Sequence, residues 1–450
     1  MFLRFVYTLI RGVRASKSWF FVRLTGPGRL VAGGILASAL VGLDTKQTLA
    51  YEAFTFLSSV FLISLLWTTW SAPRALAHRV LPRFGTVGEP LEYRVLLRSE
   101  TPKVQKNVQV FEKPQYWNPG SGRTAFESNL TGHAGGFGPS GSPHRGPRRM
   151  TLKYPMFAAR IKDVPHLNPE DEQEVLMEIL PLRRGRLWLE TLIISATDPF
   201  GLCRSIKKIA MPQSVLILPK RYTVAEIRLT GARRHQPGGV TFASSVGDSQ
   251  EFVSLREYQA GDPIHRIHWK SWAKTGKPIV KELQEEFFVR HALVLDTFQQ
   301  DAYSEIFEEA VSIAASLIGA IDTRESLLDL MFVGPEAYSF TSGRGLAQAE
   351  KMLEILASVG PCRDKPFLSL CNTVFQRDRL ISSCICVLLA WDEERKEFIR
   401  RLKESGLPLL VLIVVDGEET DRLDPGPMSD RPEHFRCLEV GKIRQELVDL

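Results

Sequence analysis

The chain has 450 residues, 44% hydrophobic and 24% charged, which excludes a small disulfide-stapled domain and a wholly disordered chain and predicts two or three folded units. Six cysteines (Cys203, Cys362, Cys371, Cys384, Cys386, Cys437) have neither zinc-ligand nor disulfide-framework spacing, so a reducing compartment is expected. The net charge of +6 is concentrated: residues 1–29 and 71–83 carry nine basic side chains and no acid, the stretch between them a net −1, leaving about −2 beyond. The soluble body is therefore not basic, and the case for nucleic-acid binding falls away.

Between the basic flanks lie two apolar runs, Leu30–Leu43 and Ala53–Trp70. The second is long enough to cross a bilayer and ends in Trp67 and Trp70, residue types that favour the interface. The first has 14 uncharged residues, and it reaches across only by recruiting Thr25–Arg29 with a snorkelling Arg29 or by thinning the bilayer. A transmembrane helical hairpin over residues 30–70 is expected, with residues 44–52 as a small external loop. One span plus a re-entrant or interfacial helix is the alternative. The positive-inside rule then puts residues 1–29 and everything beyond 71 in the cytoplasm, as a multi-pass protein of the cell inner membrane. A cleaved signal peptide is rejected, because the basic leader is too long and an apolar span follows where a mature domain should begin. Phe2–Ile10 is amphipathic and basic, suited to lie on anionic lipid or to fray in solvent.

Beyond the membrane, Glu89–Ser99 and Asn107–Glu112 alternate polar and apolar residues, as half-buried strands do. Residues 118–149, with eight glycines between Asn118 and Arg149, predict a disordered surface loop. Strands resume at Glu174–Leu180, Gly185–Ile194 and Ser214–Leu218, so residues 84–220 read as a β-rich, sandwich-like domain. A glycine-rich stretch, Gly231–Asp248, opens a linker segment over 231–290. From residue 291 to 450 the pattern changes: strands Ala292–Leu295, Leu327–Val333, Ile385–Leu389 and Leu409–Val415 alternate with helices Tyr303–Ile321, Gly345–Ala357, Glu393–Ser405 and Ile443–Leu447. Continuous apolar strands between amphipathic helices predict a doubly wound α/β domain with a parallel sheet covered on both faces. Ligands of such sheets sit beyond the carboxyl ends of the strands, here near Asp296, Asp392 and Asp416.

The densest group of unusual residues is Glu251–Lys274. Gly261-Asp262-Pro263 is a turn, and Arg256, Arg266, Lys270 and Lys274 surround Asp262, Glu282, Glu285 and Glu286, with Tyr258 and Trp269 as flat partners for guanidinium groups. The cluster reads either as an interdomain ion-pair network or as a docking surface with Arg, Tyr and Trp anchors. His265 and His268, near Asp262, are spaced to share a helix face, but a catalytic zinc site wants a third protein ligand and none lies close in sequence.

Arg256, Tyr258, Gly261, Asp262, Arg266, Ile267, Trp269, Lys270, Ala273 and Lys274 resemble the signature of the family called domain of unknown function 58. Arg183-Arg184-Gly185 and Asp198-Pro-Phe-Gly-Leu202 resemble other stretches common in it, so that the resemblance runs over roughly residues 25–420. His268 stands where an acid is common, and Lys274 where arginine is usual. The resemblance implies a C-terminal domain similar to the von Willebrand factor type A fold. That fold binds a divalent cation through an Asp-x-Ser-x-Ser loop, a threonine and a later aspartate. Here the loop is Asp296-Thr-Phe-Gln-Gln300, with Phe298 and Gln300 in place of both serines. The threonine position falls near Pro361-Cys362, and Asp392 keeps the last acidic place. Magnesium needs near-octahedral oxygen ligands, so a degenerate site without metal is expected.

No P-loop, no Gly-x-Ser-x-Gly elbow and no paired zinc motif is present. The expectation is a non-enzymatic, membrane-anchored adaptor without cofactor or catalytic residue. From the resemblance, it works with a MoxR-type AAA+ ATPase and a transglutaminase-like membrane protein in assembling an envelope or metalloenzyme complex. A magnesium-dependent, adhesion-like binder using Asp296 and Asp392 is the alternative. A metal-dependent enzyme using Asp262, His265 and His268 is the third reading.

Overall fold

The computed structural model describes residues 23–41, 48–102, 104–117, 154–169, 171–224, 250–285, 289–301, 303–321, 326–334, 337–342, 346–417 and 423–448. The amphipathic opening stretch, the glycine-rich segment 118–149 and the stretch 231–248 lie outside them. The chain divides into two units, one containing the described residues up to 117 with 154–217, the other those from 218 onward.

The first unit opens with two helices, α1 (Gly26–Val41) and α2 (Thr48–Trp70). Several of their hydroxyls bond back within the helix: Ser38 Oγ donates to Gly34 O at 2.8 Å, Thr55 Oγ1 to Tyr51 O at 3.0 Å and Ser59 Oγ to Thr55 O at 2.7 Å. Such back-bonding lets a helix keep polar residues in an apolar medium. Among the described residues one helix, Leu49–Trp70, is long and apolar enough to cross a membrane; α1, with 16 residues, falls short. The expected external loop over 44–52 is cut short, because Thr48–Glu52 already belong to α2.

Among the described residues eleven strands follow in this unit: β1 (Ala75–Val80), β2 (Phe84–Thr86), β3 (Leu91–Ser99), β4 (Gln105–Glu112), the short β5 (Tyr116–Trp117) and β6 (Tyr154–Pro155), β7 (Phe157–Ala159), β8 (Lys162–Leu167), β9 (Glu172–Pro181), β10 (Gly185–Thr197) and β11 (Arg204–Leu218). They form a four-stranded sheet, β1-β3-β9-β7, and a five-stranded sheet, β2-β11-β10-β4-β8. The alternation in β3 puts Leu91, Tyr93, Val95 and Leu97 inside, where they meet Val108, Val110, Leu192 and Ile194 of the other sheet in one core.

A charged pair, Arg79 and Glu112, is buried within this unit. Arg79, counted from sequence among the basic residues flanking the membrane, is instead buried on β1. Its Nη1 donates to Leu189 O and Met211 O, both at 3.0 Å, and its Nη2 to Glu112 Oε2 at 2.9 Å. Tyr93 donates its hydroxyl to Glu112 Oε1 at 2.9 Å. Burial pushes the Glu112 carboxyl up, against the pull of Arg79 and Tyr93.

In the second unit, β12 (Gln250–Glu257) and β13 (Ile279–Glu285) form an antiparallel pair that encloses the short helix α3 (Trp269–Thr275). The main sheet has six strands in the order β16-β15-β14-β17-β18-β19, namely Ala337–Ser342, Ser326–Val333, Val289–Leu295, Ser383–Leu388, Leu409–Val415 and Phe435–Glu439. All neighbours are parallel except β16. One core lies against α4 (Glu305–Ala320), α5 (Leu346–Ser358) and α8 (Ile443–Glu446); a second lies against α6 (Leu368–Phe375) and α7 (Glu393–Glu404). The strands β15, β17 and β18 are buried along their whole length, which is why they read as unbroken apolar runs.

Replacing Glu112 with Ala should leave the Arg79 charge buried and unpaired, at a cost of about 3–5 kcal/mol in this unit. Hydrogen exchange of the β4 amides would measure the loss, and the double variant Arg79→Met, Glu112→Leu should lose clearly less than the two single changes added together.

Candidate functional site

Two places concentrate chemically distinctive side chains, both in the second unit. The first is the turn region between β12 and β13. Arg256, on β12, grips Asp262 with both arms of its guanidinium, Nη1 to Oδ2 at 2.8 Å and Nη2 to Oδ1 at 2.6 Å. Asp262 Oδ2 also accepts the Gln259 N–H at 2.9 Å, and Gly261 takes a positive φ of 112° that a side chain would strain. The paired guanidinium, then the Gln259 amide, hold the Asp262 carboxyl below the usual carboxylate range, with Arg266 adding to the pull.

The chain continues through a short 3₁₀ turn, Ile264–Arg266, to Ile267, which is buried and bridged to Val280. His268 donates its backbone N–H to Ile279 O at 2.8 Å, and its Nδ1 lies 2.7 Å from Ser271 Oγ. The α3 helix ends at Gly276, which adopts the left-handed conformation. These ties hold one face of the turn. Trp269 is 61% exposed and Ile264 69% exposed, and Tyr258, Lys270 and Lys274 are also exposed. Among the described residues, the ring partner of Trp269 is Trp272 rather than the expected guanidinium, with ring centroids 5.3 Å apart and planes 20° from parallel. The side chains of Glu282, Glu285 and Glu286 lie outside the described residues. His265 is exposed. Among the described residues no three His, Cys, Asp or Glu side chains group as a metal site.

The second place is the carboxyl end of the parallel sheet. Asp296 follows β14 and is fully buried. Its Oδ1 accepts Phe298 N at 2.9 Å, and its Oδ2 accepts Leu389 N at 3.2 Å and Arg395 Nε at 2.6 Å. Asp392 caps α7 by accepting Arg395 N at 3.0 Å, and its other oxygen accepts Arg395 Nη1. One guanidinium therefore bonds both carboxylates named from sequence, and it stacks over the Phe367 ring at 4.8 Å. Burial pushes the Asp296 carboxyl up against the pull of Arg395. Burial also works against the Arg395 charge, but Asp296 and Asp392 outweigh it, so the guanidinium stays charged. The loop at Pro361-Cys362 does approach: Cys362 N donates to Thr297 O at 2.7 Å, and Phe298 bridges to Cys362. Asp416, after β18, is exposed.

These residues do not fit a divalent cation. Arg395 provides the positive charge for both acids, and Phe298 and Cys362 stand where oxygen ligands would be needed. The sequence reading missed Arg395. Its only local signal is the spacing Asp392-x-x-Arg395, which lets an N-cap acid pair with an arginine one turn on.

Arg395→Met should cost about 3–5 kcal/mol, since it leaves Asp296 buried without its counter-charge. Thermal unfolding of the detergent-solubilised chain would read the loss, and added magnesium should not restore it. The Asp262 carboxyl, followed by NMR, should titrate below the ordinary aspartate range and move up in Arg256→Ala. Because the folded pKa is depressed, the contribution of the turn to stability is complete above the ordinary aspartate pKa and is lost as pH falls through the lowered one.

Residues 254–383 match the family described as protein of unknown function DUF58. The chain is 26% identical over 186 residues to the uncharacterized protein YeaD of Bacillus subtilis (strain 168), an alignment covering 40% of this chain and 44% of that protein. A CARDB domain from Pyrococcus furiosus, solved with di-metal ions, is 10% identical with a TM-score of 0.17, over 33% of this chain and 90% of that one. A putative beta-galactosidase from Bacteroides fragilis is 8% identical with a TM-score of 0.14, over 78% of this chain and 40% of that one. Neither of these two likenesses bears on fold or function. The matched segment holds the Arg256–Asp262 turn, the Trp269–Trp272 pair and Asp296, and over these residues the chain is similar to the family of proteins of unknown function DUF58.

Proposed function

We propose that this protein is a non-enzymatic adaptor, anchored in the bacterial inner membrane by a helical hairpin made of α1 and α2, with its soluble parts in the cytoplasm. The observation that carries this reading is the exposed face of the signature turn. Trp269 and Ile264 lie open to solvent beside Lys270 and Lys274, on a backbone fixed from behind by Arg256–Asp262 and Ile267–Val280. Apolar anchors with a charged rim, already held in place, are what an interface hot spot needs, because little ordering remains to be done on binding.

The strand order of the main sheet, with its first strand central and its antiparallel strand at one edge, supports a von Willebrand factor type A-like domain. The place of Arg395 between Asp296 and Asp392 favours the adaptor over the magnesium-dependent binder. The partner class proposed from the family resemblance is a MoxR-type AAA+ ATPase, with a transglutaminase-like membrane protein as a further member of the assembly.

The intact chain in detergent should bind such an ATPase, and Trp269→Ala or Ile264→Asp should weaken binding at least ~10-fold, about 1.4 kcal/mol. Surface-immobilised binding measurements would show it, and EDTA should leave the affinity unchanged. Affinity lost with EDTA and with Asp296→Ala, but kept in the Trp269 variant, would instead select the magnesium-dependent reading.

A further inference from the structure

The turn joining β10 to β11, Asp198-Pro-Phe-Gly-Leu-Cys203, belongs to the first unit and has no part in the proposed docking face. Asp198 is buried and holds the turn from within: its Oδ2 accepts Phe200 N at 3.1 Å and its Oδ1 accepts Cys203 N at 2.7 Å. Gly201 takes a φ of 72°. The chain entering α1 adds itself to this turn. Leu24 bridges to Cys203, Thr25 N donates to Leu202 O at 3.0 Å, and Thr25 Oγ1 donates to Gly201 O at 2.5 Å. The approach is close enough that a Cβ on Gly28 would meet Leu202 O at 2.0 Å.

What the turn touches sets its level along the helices. Leu202 and Cys203 are buried with Leu24, and Val31, Val60 and Phe61 pack against them. Val60 lies ten residues before the end of α2 at Trp70, about 15 Å along the axis at 1.5 Å per residue. Val31 lies within the apolar run of α1. On the same stretch of α2, Ser64 and Thr68 are buried rather than open to their surroundings. A turn that contacts residues two to three helical turns inside an apolar span cannot sit out in bulk water if that span is in a bilayer. At its apex Pro199 and Phe200 point outward, Phe200 being 52% exposed. Arg23 and Arg29 flank the start of α1.

Resting on the membrane reading of α2, we propose that the Pro199–Phe200 tip is embedded in the interfacial zone of the bilayer, with Phe200 against lipid acyl chains, as a third anchoring element beside the two helices. The basic residues at the start of α1 then face lipid headgroups, and the exposed phenylalanine is accounted for by a lipid contact.

The test uses the full chain in phosphatidylcholine–phosphatidylglycerol vesicles, on a Cys437→Ser background that leaves only buried native cysteines. Single cysteines at Phe200→Cys, Phe56→Cys in α2 and Glu89→Cys are labelled with an NBD fluorophore and exposed to lipids carrying a nitroxide at shallow or deep positions. Glu89 lies at the far end of the strands: Gly88 N bonds Pro181 O, and β10 runs from Gly185 to Thr197 between there and the tip. The expected result is blue-shifted emission at position 200, quenched at least ~2-fold more by the shallow than by the deep nitroxide, strong deep quenching at 56 and none at 89. Position 200 behaving like 89 while 56 is quenched overturns the proposal alone, and blue-shifted emission at 200 without lipid quenching overturns it in favour of a protein contact. An unquenched position 56 overturns the membrane reading and the tip insertion with it.

Discussion

A guanidinium cannot shed its proton at any pH a cell meets, so an arginine taken out of water dictates what surrounds it. Each unit of this chain is organised around one such residue. Arg79 draws together four strands besides its own: Glu112 on β4, two carbonyls on β10 and β11, and, through Glu112, the Tyr93 hydroxyl on β3. Since β3 and β4 belong to different sheets, this network fixes how the two sheets meet, where apolar contacts alone would tolerate sliding. Arg395 does the equivalent at the carboxyl end of the parallel sheet. It ties the loop after β14 to the start of α7 and closes the place where sheets of this kind usually admit a ligand.

Most of the strand and helix pattern was legible because it is carried by local periodicity. The strand expected over Glu174–Leu180 runs from Glu172 to Pro181, and the helix expected over Tyr303–Ile321 from Glu305 to Ala320. The elements that escaped notice had weak local signals. The edge strand Ala337–Ser342 is short and half polar, Leu368–Phe375 spans barely two turns, and Phe435–Glu439 interrupts its apolar residues with Arg436 and Glu439. Arg79 and Arg395 could not be assigned from sequence for a different reason. The partners of Arg79 lie 33 to 132 residues away and the buried partner of Arg395, Asp296, 99 away, and a surface arginine looks the same in a sequence as a buried one.

The signature turn was the opposite case. Arg256 and Asp262 are six residues apart, and the glycine and proline between and beside them announce the turn, so their pairing is a local event that composition foreshadows. The exposed aromatic stack was only half visible, since Trp272 had no role in the sequence reading and becomes the partner of Trp269 only once α3 places positions three apart on one face. In this segment Arg256, Asp262 and the buried Ile267 hold the backbone, and Ile264 and Trp269 are left on the surface.

The connection between the helices and the β unit allows little slack. The chain leaves α2 at Trp70, with Ser71 N bonded back to Trp67 O, and enters β1 at Ala75. The four residues between are clamped on both sides: Ser205 Oγ donates to Ser71 O at 3.1 Å, and the Gln105 side chain bonds both the N–H and the carbonyl of Arg74, at 3.1 and 2.7 Å. Thr25 makes the matching connection on the other side, at the start of α1. A flexible tether would leave the orientation of the β unit relative to the two helices free, whereas clamps at both helix ends fix it. The clamp after α2 depends on the Ser205 and Gln105 side chains, so substitution at either position would loosen the orientation of the β unit relative to α2 without touching its core.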